Sequence, residues 1–215
     1  MQRDTRTLVG APLGFAVSSD VLDRLQSFVA LLEKWQRVHN LVGPDTLDEV
    51  WERHIADSAQ LAMLAPDAQR WLDLGSGAGF PGLVVAILIR ARGDAFVDLV
   101  ESNQKKCAFL REAIRITGAP AAVRCERIES VVKRWSAPVD VVTARALAPL
   151  PILCAYAEGF ITRGAVALFH KGRGFESELA DARQLWDIDL VQHSSRGEGS
   201  IVEIRRLTRR EKGHA

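Results

Sequence analysis

Apolar side chains near the start of the chain recur at the spacing of a helix. Val21, Leu25, Phe28 and Leu32 are separated by three or four positions, which predicts an amphipathic helix over residues 20–38. We expect one of the polar residues 18–20 to cap its start, and the helix to stop near residues 39 and 40.

A second helix is predicted directly after the first. Thr46 and Glu49 have the spacing of a capping box, and the helical pattern continues to Leu64, before a proline. His54, Asp57 and Ser58 share one face of this helix, where we expect either a packing contact or support for a later loop. The two helices predict an N-terminal helical extension over residues 1–65.

From residue 69 onward, short apolar runs alternate with helical segments, a pattern typical of a parallel sheet covered on both faces. Five parallel strands are predicted at 71–74, 95–100, 121–125, 139–144 and 165–170. The helices between and after them fall near 82–91, 104–117, 149–158 and 176–185, with a short turn at 129–134. Runs at 187–193 and 200–206 flank the turn-rich SSRGEG and predict a hairpin.

The predicted fold class is therefore α/β, with a mostly parallel seven-stranded sheet that ends in an antiparallel hairpin. This order resembles the Rossmann-like class I S-adenosylmethionine-dependent methyltransferases and differs from the all-parallel ending of dinucleotide-binding dehydrogenases. We assign residues 66–215 to this domain.

Length and composition agree with one folded domain. The chain has 215 residues, of which 47% are hydrophobic and 26% charged, ordinary values for a globular protein with one hydrophobic core. The longest apolar run covers only residues 83–89, which predicts no transmembrane segment. Residues 8–17 are apolar as in a signal peptide, but two glycines and a proline favour an irregular N-terminal arm.

Charge and cysteine content exclude few functions. Cys107, Cys125 and Cys154 form no C-x-x-C pair, so we expect no disulfide framework and no zinc site, and the reducing cytoplasm as location. A single His with a single carboxylate at residues 54 and 57 does not predict a metal. The net charge of +1 neither supports nor excludes binding to nucleic acid.

The strongest local motif is the glycine-rich segment DLGSGAGFPG at residues 73–82. Gly75, Gly77 and Gly79 follow a strand directly, where glycines permit sharp turns and close approach to a ligand. Pro81 suits the first turn of the next helix. The motif predicts a nucleotide-type cofactor loop.

The glycine motif alone leaves the cofactor open. Gly77, Gly79 and Gly82 also satisfy G-x-G-x-x-G, so a dinucleotide is an alternative to S-adenosylmethionine. Glu101 ends the second strand, where its carboxylate would accept hydrogen bonds from ribose hydroxyls of either cofactor. An ordinary carboxylate at a helix start is the other interpretation of Glu101.

Several further segments narrow the choice of cofactor: RHIADS (53–58), VESNQKKCAFL (100–110), ARALAPL (144–150) and HKG (170–172). Together with DLGSGAGFPG (73–82), they resemble the bacterial glucose-inhibited division protein B family, also called RsmG. The resemblance spans nearly the whole sequence. It implies methyl transfer from S-adenosylmethionine to N7 of a guanine in 16S ribosomal RNA, with S-adenosylhomocysteine as product.

The resemblance also implies cofactor contacts at Gly75, Phe80, Ile128, Glu129 and Arg145. Ile128 would pack on the adenine face and Glu129 would bind along the adenine edge. The Arg145 guanidinium would clamp the methionine carboxylate, with a salt bridge or a guanine contact as alternatives.

No general base is expected at the target, because guanine N7 already presents a free lone pair. The segment TARALAP lacks the Asn/Asp-Pro-Pro-aromatic motif of adenine-amine methyltransferases. Cys154 lies in a predicted helix and is interpreted as a core residue rather than a nucleophile. No catalytic residue is therefore predicted.

We expect RNA contacts at Lys171 and Arg173, because they follow the fifth strand at the edge of the sheet where ligands gather. Phosphate contacts or a merely solvated charge run are predicted for Lys105 and Lys106 and for the tail residues Arg205, Arg206, Arg209, Arg210 and Lys212. The expected partner is 16S ribosomal RNA or a small-subunit precursor, bound by a monomer without metal or membrane. A small-molecule or protein methyltransferase and a dinucleotide-binding regulatory module remain alternatives.

Overall fold

The computed structural model describes residues 17–38, 41, 43, 49–197 and 199–210. The predicted N-terminal arm, the end of the first helix at residues 39 and 40, the Thr46 cap and Lys212 lie outside these residues. The described helices are α1 Ser19–Gln36, a π-helix Val50–Ala56, α2 Asp57–Leu64, α3 Gly82–Ile89, α4 Gln104–Thr117, α5 Ile128–Arg134, α6 Leu150–Ile161 and α7 Phe175–Leu185. The strands are β1 Arg70–Leu74, β2 Phe96–Glu101, β3 Ala121–Cys125, β4 Val141–Arg145, β5 Val166–Lys171, β6 Trp186–Ser194 and β7 Ser200–Arg209.

The strands form one seven-stranded sheet in the order β3-β2-β1-β4-β5-β7-β6. Strands β1 to β5 are parallel, whereas β7 pairs antiparallel with both β5 and β6. The predicted parallel sheet with a terminal hairpin is confirmed. Because the strand order along the sheet reverses between β1 and β4, the carboxyl ends of these two central strands open a crevice where ligands bind in such folds.

The sheet divides the interior into two apolar layers, so the expectation of one hydrophobic core was wrong. Alternate strand residues face opposite sides: Trp71 and Leu99 pack with α1 to α4, whereas Leu72 and Val100 pack with α5 to α7. The first layer includes Leu25 and other residues of the N-terminal helices. The extension therefore shares its core with the sheet.

The start of the first N-terminal helix agrees with its predicted cap. Ser18 caps α1, since its hydroxyl accepts a hydrogen bond from the amide of Val21 at 3.3 Å. The second helix begins as a π-helix before continuing as α2. None of the helices in the described part of the chain is long and apolar enough to cross a bilayer.

Candidate functional site

A cleft of about 400 Å³ opens at the carboxyl ends of β1, β2 and β4, a volume suited to a small organic ligand. It is lined by the glycine loop, the end of β2, the starts of α4 and α5, the turn between β4 and α6, and α6 itself. Its lining includes the predicted site residues Gly75, Gly77, Glu101, Ile128 and Glu129. The structure thus brings together five of the eight residues predicted to hold the cofactor.

The floor of the cleft depends on two glycines with left-handed backbones. Gly75 has φ +69° and Gly77 φ +53°, a region that residues with a Cβ rarely adopt. A Cβ on Gly75 would lie only 2.6 Å from Leu147 Cδ1, so a larger residue would collide with the wall of the cleft. At Gly77 no atom outside the loop backbone would meet a Cβ within 4 Å, and the added atom would enter the cleft.

Glu101 connects the glycine loop to the second strand. One carboxylate oxygen accepts from the Gly77 amide at 3.0 Å and the other from the Asn103 amide at 2.7 Å. Each carboxylate oxygen can accept two hydrogen bonds, so the side chain retains acceptor capacity toward the cleft that it lines. This geometry fits both the loop-fixing role and the predicted ribose contact.

Gly79 and Gly82 serve packing rather than the cleft. Gly79 has φ +93°, and a Cβ there would lie 3.1 Å from Leu83 Cβ. A Cβ on Gly82 would lie 2.5 Å from Asp73 Oδ2, so only glycine lets α3 approach β1 this closely. The cofactor contact predicted for Gly79 is not supported by its position, because the residue lies outside the cleft lining.

Asp73 fixes the start of α3 from beneath the glycine loop. It is fully buried, accepts from the Thr143 hydroxyl at 2.7 Å and accepts from the Gly82 amide at 3.3 Å. Burial raises the pKa of Asp73 to about 6, against the opposing effect of these hydrogen bonds. The carboxyl therefore acts as a structural acceptor in the core.

The outer end of the cleft is formed by α5 and α6. Ile128 contributes an apolar surface, and the Glu129 carboxylate accepts a hydrogen bond from the Tyr156 hydroxyl at 2.8 Å. Hydrogen bonds from its own backbone and from Tyr156 lower the pKa of Glu129. An apolar face next to a charged edge fits the adenine contacts predicted for these two residues.

Phe80 departs from its predicted position. Its buried ring stacks on His54, with ring centroids 4.8 Å apart, and contacts Phe28 at 5.4 Å. The side chain thus points toward the N-terminal helices, and Phe80 lies outside the cleft lining. Burial and the nearby Arg145 charge lower the pKa of His54 to about 4, so this histidine is neutral at neutral pH.

Arg145 forms the salt bridge that was the alternative to a cofactor contact. Its Nη1 lies 2.9 Å from Asp57 Oδ2, and its Nη2 donates to the Arg53 carbonyl at 2.5 Å. Asp57 also contacts His170 and accepts from the Ser195 hydroxyl. We call these residues, Arg145, Asp57, His170 and Ser195, the Asp57 network.

Burial alone would raise the pKa of Asp57, but the hydrogen bonds and charges of its partners lower it to about 2. The carboxylate is therefore ionised and holds the π-helix against β4, β5 and the hairpin. Of the two roles expected for this helix face, a packing contact and support for a later loop, the arrangement of Asp57 fits the packing contact.

The phosphate contact predicted for Lys171 is not supported by the structure. Its side chain is only 7% exposed, and its Nζ lies 2.5 Å from Glu178 Oε2 and donates to the Ala148 carbonyl at 3.0 Å. A buried, paired ammonium has little of its charge available to RNA. Arg173 is exposed two residues later, so its predicted RNA contact stays a prediction.

The other predicted cations differ in exposure and pairing. Arg205, Arg206 and Arg210 form ion pairs with Glu203, Asp189 and Asp187, and Arg209 lies over the Trp186 ring. Lys106 lines the cleft, whereas its exposed neighbour Lys105 does not. The tail therefore resembles a solvated, internally paired surface, while Lys106 lies next to the ligand site.

The cysteines show no catalytic arrangement. Cys154 is fully buried in α6, and burial raises the pKa of its thiol to about 12, as expected of a core residue. All three cysteines are free. Within the described part of the chain, no three His, Cys, Asp or Glu residues come together as a metal site would require.

Some residues that line the cleft were not predicted from the sequence. Ser102, Arg127, Ala146 to Ala148, Ile152 and Tyr156 also border the cleft. Most of them closely follow the end of a strand, and this position is the signal that could have identified them. Ile152 and Tyr156 carry no such signal, because the packing of α6 alone brings them to the site.

Solved structures support the fold. The chain is 18% identical to the cofactor-bound protein Rv0187 from MTB, with a TM-score of 0.60, covering 85% of this chain and 88% of that one. It is 16% identical to SAH-bound methyltransferase PaMTH1 from Podospora anserina, with a TM-score of 0.57, covering 89% and 97%. At these identities the likeness shows a shared class I methyltransferase architecture.

Sequence relatives identify the family. The model for rRNA small subunit methyltransferase G, GidB, matches residues 21–204. Ribosomal RNA small subunit methyltransferase G of Methylorubrum populi is 50% identical over 195 residues, covering 90% of this chain and 92% of the relative. The protein of the same name from Bradyrhizobium sp. strain BTAi1 is 53% identical over 190 residues, covering 87% and 86%. The chain therefore belongs to the rRNA small subunit methyltransferase G family.

Proposed function

We propose that this protein transfers the methyl group of S-adenosylmethionine to N7 of a guanine in 16S ribosomal RNA and releases S-adenosylhomocysteine. One observation carries the proposal: in a chain of the methyltransferase G family, the glycine loop and Glu101 meet in a single cleft at the strand ends. Neither a small-molecule or protein substrate nor a dinucleotide is favoured by a specific feature of this cleft.

The residues of the cleft fit this cofactor. Glu101 has acceptor capacity for ribose hydroxyls, and Ile128 and Leu147 offer apolar surfaces for the adenine. Gly77 leaves room for the methionine portion, because no side chain projects there. When bound, the cofactor supplies an electrophilic methyl group on a sulfonium.

The protein contributes orientation to the reaction. Guanine N7 needs no deprotonation, and correct positioning of two reactants accounts for about 7 to 11 kcal/mol of barrier in favourable cases. The residues that line the cleft hold the cofactor, and the rigid turn after β4 closes one side. The proposed reaction therefore needs no acid–base pair, and the buried Asp57 and His170 are assigned to the Asp57 network.

The RNA side of the site lies at the same edge of the sheet. Lys106 and Arg127 line the cleft, Lys105 is exposed next to Lys106, and Arg173 is exposed two residues after β5. Phosphate groups of a bound RNA would be neutralised by such cations. Arg145 is assigned to the Asp57 network, with its methionine-carboxylate contact kept as a secondary role.

We place the reaction in the cytoplasm and expect a monomer. The free cysteines are compatible with a reducing compartment. No metal enters the proposed reaction, because the sulfonium already activates the methyl group.

The proposal is tested with S-adenosylmethionine labelled in its methyl group. Purified protein is incubated with small ribosomal subunits, with their extracted 16S RNA and with total protein from a strain lacking the enzyme. Label in 16S RNA, in either form, is the expected result. Label confined to protein or to small molecules would refute the assignment.

A further inference from the structure

The turn between β4 and α6, residues 146–149, forms one wall of the cleft in an unfavourable backbone conformation. Ala146 has φ +49°, which is uncommon for a residue with a side chain and is energetically unfavourable. Leu147 projects over Gly75, where a Cβ would meet its Cδ1 at 2.6 Å. Some interaction outside the turn must therefore stabilise it.

Two charged side chains behind the turn supply this interaction. Lys171, at the end of β5, donates to the Ala148 carbonyl at 3.0 Å, and Glu178 of α7 accepts from the Leu150 amide at 2.7 Å. The same Glu178 oxygen lies 2.5 Å from Lys171 Nζ. The pair thus forms hydrogen bonds with the residues on both sides of Pro149.

We propose that Lys171 and Glu178 form a positioning pair that holds the turn 146–149 against the cofactor cleft. The inference rests on the proposed function, since it assumes that the cleft receives S-adenosylmethionine. Neither residue lines the cleft, so the pair acts through the Ala148 carbonyl and the Leu150 amide. Lys171 thereby has a role toward the cofactor and none toward RNA phosphates.

The burial of Lys171 explains why the pair can fix the position of the turn. The Lys171 side chain is 7% exposed and that of Glu178 29%. The buried Lys171 ammonium is held in a fixed geometry by its two acceptors, whereas fully exposed pairs exchange partners with solvent. Removing Lys171 deletes the bond to Ala148 and leaves the turn free to relax away from Gly75.

The test separates positioning from stability with two variants. Lys171→Met removes the bond to Ala148 and leaves Glu178 without its counter-charge. In Lys171→Met/Glu178→Gln the unpaired charge is also removed, and the Gln carbonyl can still accept from the Leu150 amide. Arg183→Met, an exposed cation on the same helix, is the matched control.

We expect Lys171→Met to bind S-adenosylhomocysteine about tenfold more weakly in calorimetry, the loss of one charged hydrogen bond. The double variant should regain most of the lost melting temperature, because replacing both partners of a buried pair is tolerated. Its affinity for S-adenosylhomocysteine should stay low. Affinity for 16S RNA should match the wild type in both variants and in the control.

Each of the following results would overturn the inference. Affinity that returns together with melting temperature in the double variant would reduce the pair to a stability element. Weaker RNA binding with unchanged S-adenosylhomocysteine affinity would restore the phosphate role of Lys171. Wild-type protein that fails to bind S-adenosylhomocysteine would remove the proposed function, and this inference with it, whereas normal binding in Lys171→Met would remove the inference alone.

Discussion

Glu101 and Gly77 show how single residues build the cofactor cleft. The carboxylate accepts the Gly77 amide at 3.0 Å, so the loop is fixed by the same side chain that is proposed to bind the ribose. Gly77 must remain bare, since its left-handed backbone and its position beside the cleft both disfavour a side chain. Changes at this position therefore test the location of the cofactor.

Gly77→Asp should abolish measurable binding of S-adenosylhomocysteine. The new carboxylate would enter the cleft near Glu101, which adds steric conflict and repulsion between like charges. Gly77→Asn is the matched control, because Asn has the same size without the charge and tolerates the left-handed region better than most residues. Calorimetry on both variants should give a weaker loss for Asn, and wild-type affinity in Gly77→Asp would contradict the placement.

His54 should make the protein sensitive to acid. Its pKa is about 4 in the folded protein, below the ordinary histidine value of 6.5, so the unfolded chain binds more protons between these two values. The stabilisation is fully present above about pH 6.5 and is lost as the pH falls toward about 4. His54→Phe keeps a ring against Phe80 without this titration.

Between about pH 7 and about pH 4.5, we expect His54→Phe to lose roughly 2 kcal/mol less unfolding free energy than the wild type. Asp73, whose raised pKa works in the opposite direction, is common to both proteins and cancels in the comparison. Urea unfolding at the two pH values measures the difference. Equal losses in the two proteins would show that His54 is not the acid-sensitive group.

The sequence could predict site residues whose position follows from a strand end, and failed where tertiary packing decides. Gly75 and Gly77 follow β1 and Glu101 ends β2, so their meeting at one edge follows from the parallel order. Lys171 also ends a strand, but its side chain turns inward because Glu178 and the Ala148 carbonyl offer partners there. Such distant partners leave no signal in local spacing.

Among the secondary-structure elements, the buried strands and long helices were predicted best. The bounds of β3 and α4 agree with the prediction. The ends of α4 are well defined because Asn103 caps its start and Gly118 ends it in a left-handed conformation. The π-helix at Val50–Ala56 was not predicted, because its i to i+5 bonds leave an apolar pattern close to that of an α-helix. Tertiary contacts, chiefly those of the Asp57 network, stabilise this π-helix.

Asp57→Asn should release this π-helix from the sheet. The substitution keeps the size of the side chain but leaves the Arg145 guanidinium without its counter-charge, so we expect the free energy of unfolding to fall by about 3 kcal/mol. Ser195→Ala removes the hydrogen bond to Asp57 and the acceptor of the Gly197 amide, but it leaves no buried charge unpaired and should cost about 1 to 2 kcal/mol. Urea denaturation measures both, and an Asp57→Asn loss no larger than that of Ser195→Ala would contradict the network.

At the scale of the whole molecule, two apolar layers cover the faces of the sheet, and the cleft lies at the carboxyl ends of its central strands. The N-terminal helices complete the first layer and bring the Asp57 network to the carboxyl ends of β4 and β5. The net charge of only +1 means that RNA binding must depend on local cations near the cleft. We therefore expect RNA affinity to depend more on Lys106 and Arg127 than on the internally paired arginines of β7.

The most direct measurement is the identity of the base that receives the methyl group. Small subunits from a strain lacking the enzyme are incubated with S-adenosylmethionine and the wild-type or Gly77→Asp protein. Their 16S RNA is then digested to nucleosides for mass spectrometry. We predict that 7-methylguanosine appears with the wild type and not with the variant, whereas a methyl group on another base, or on none, would contradict the proposed reaction.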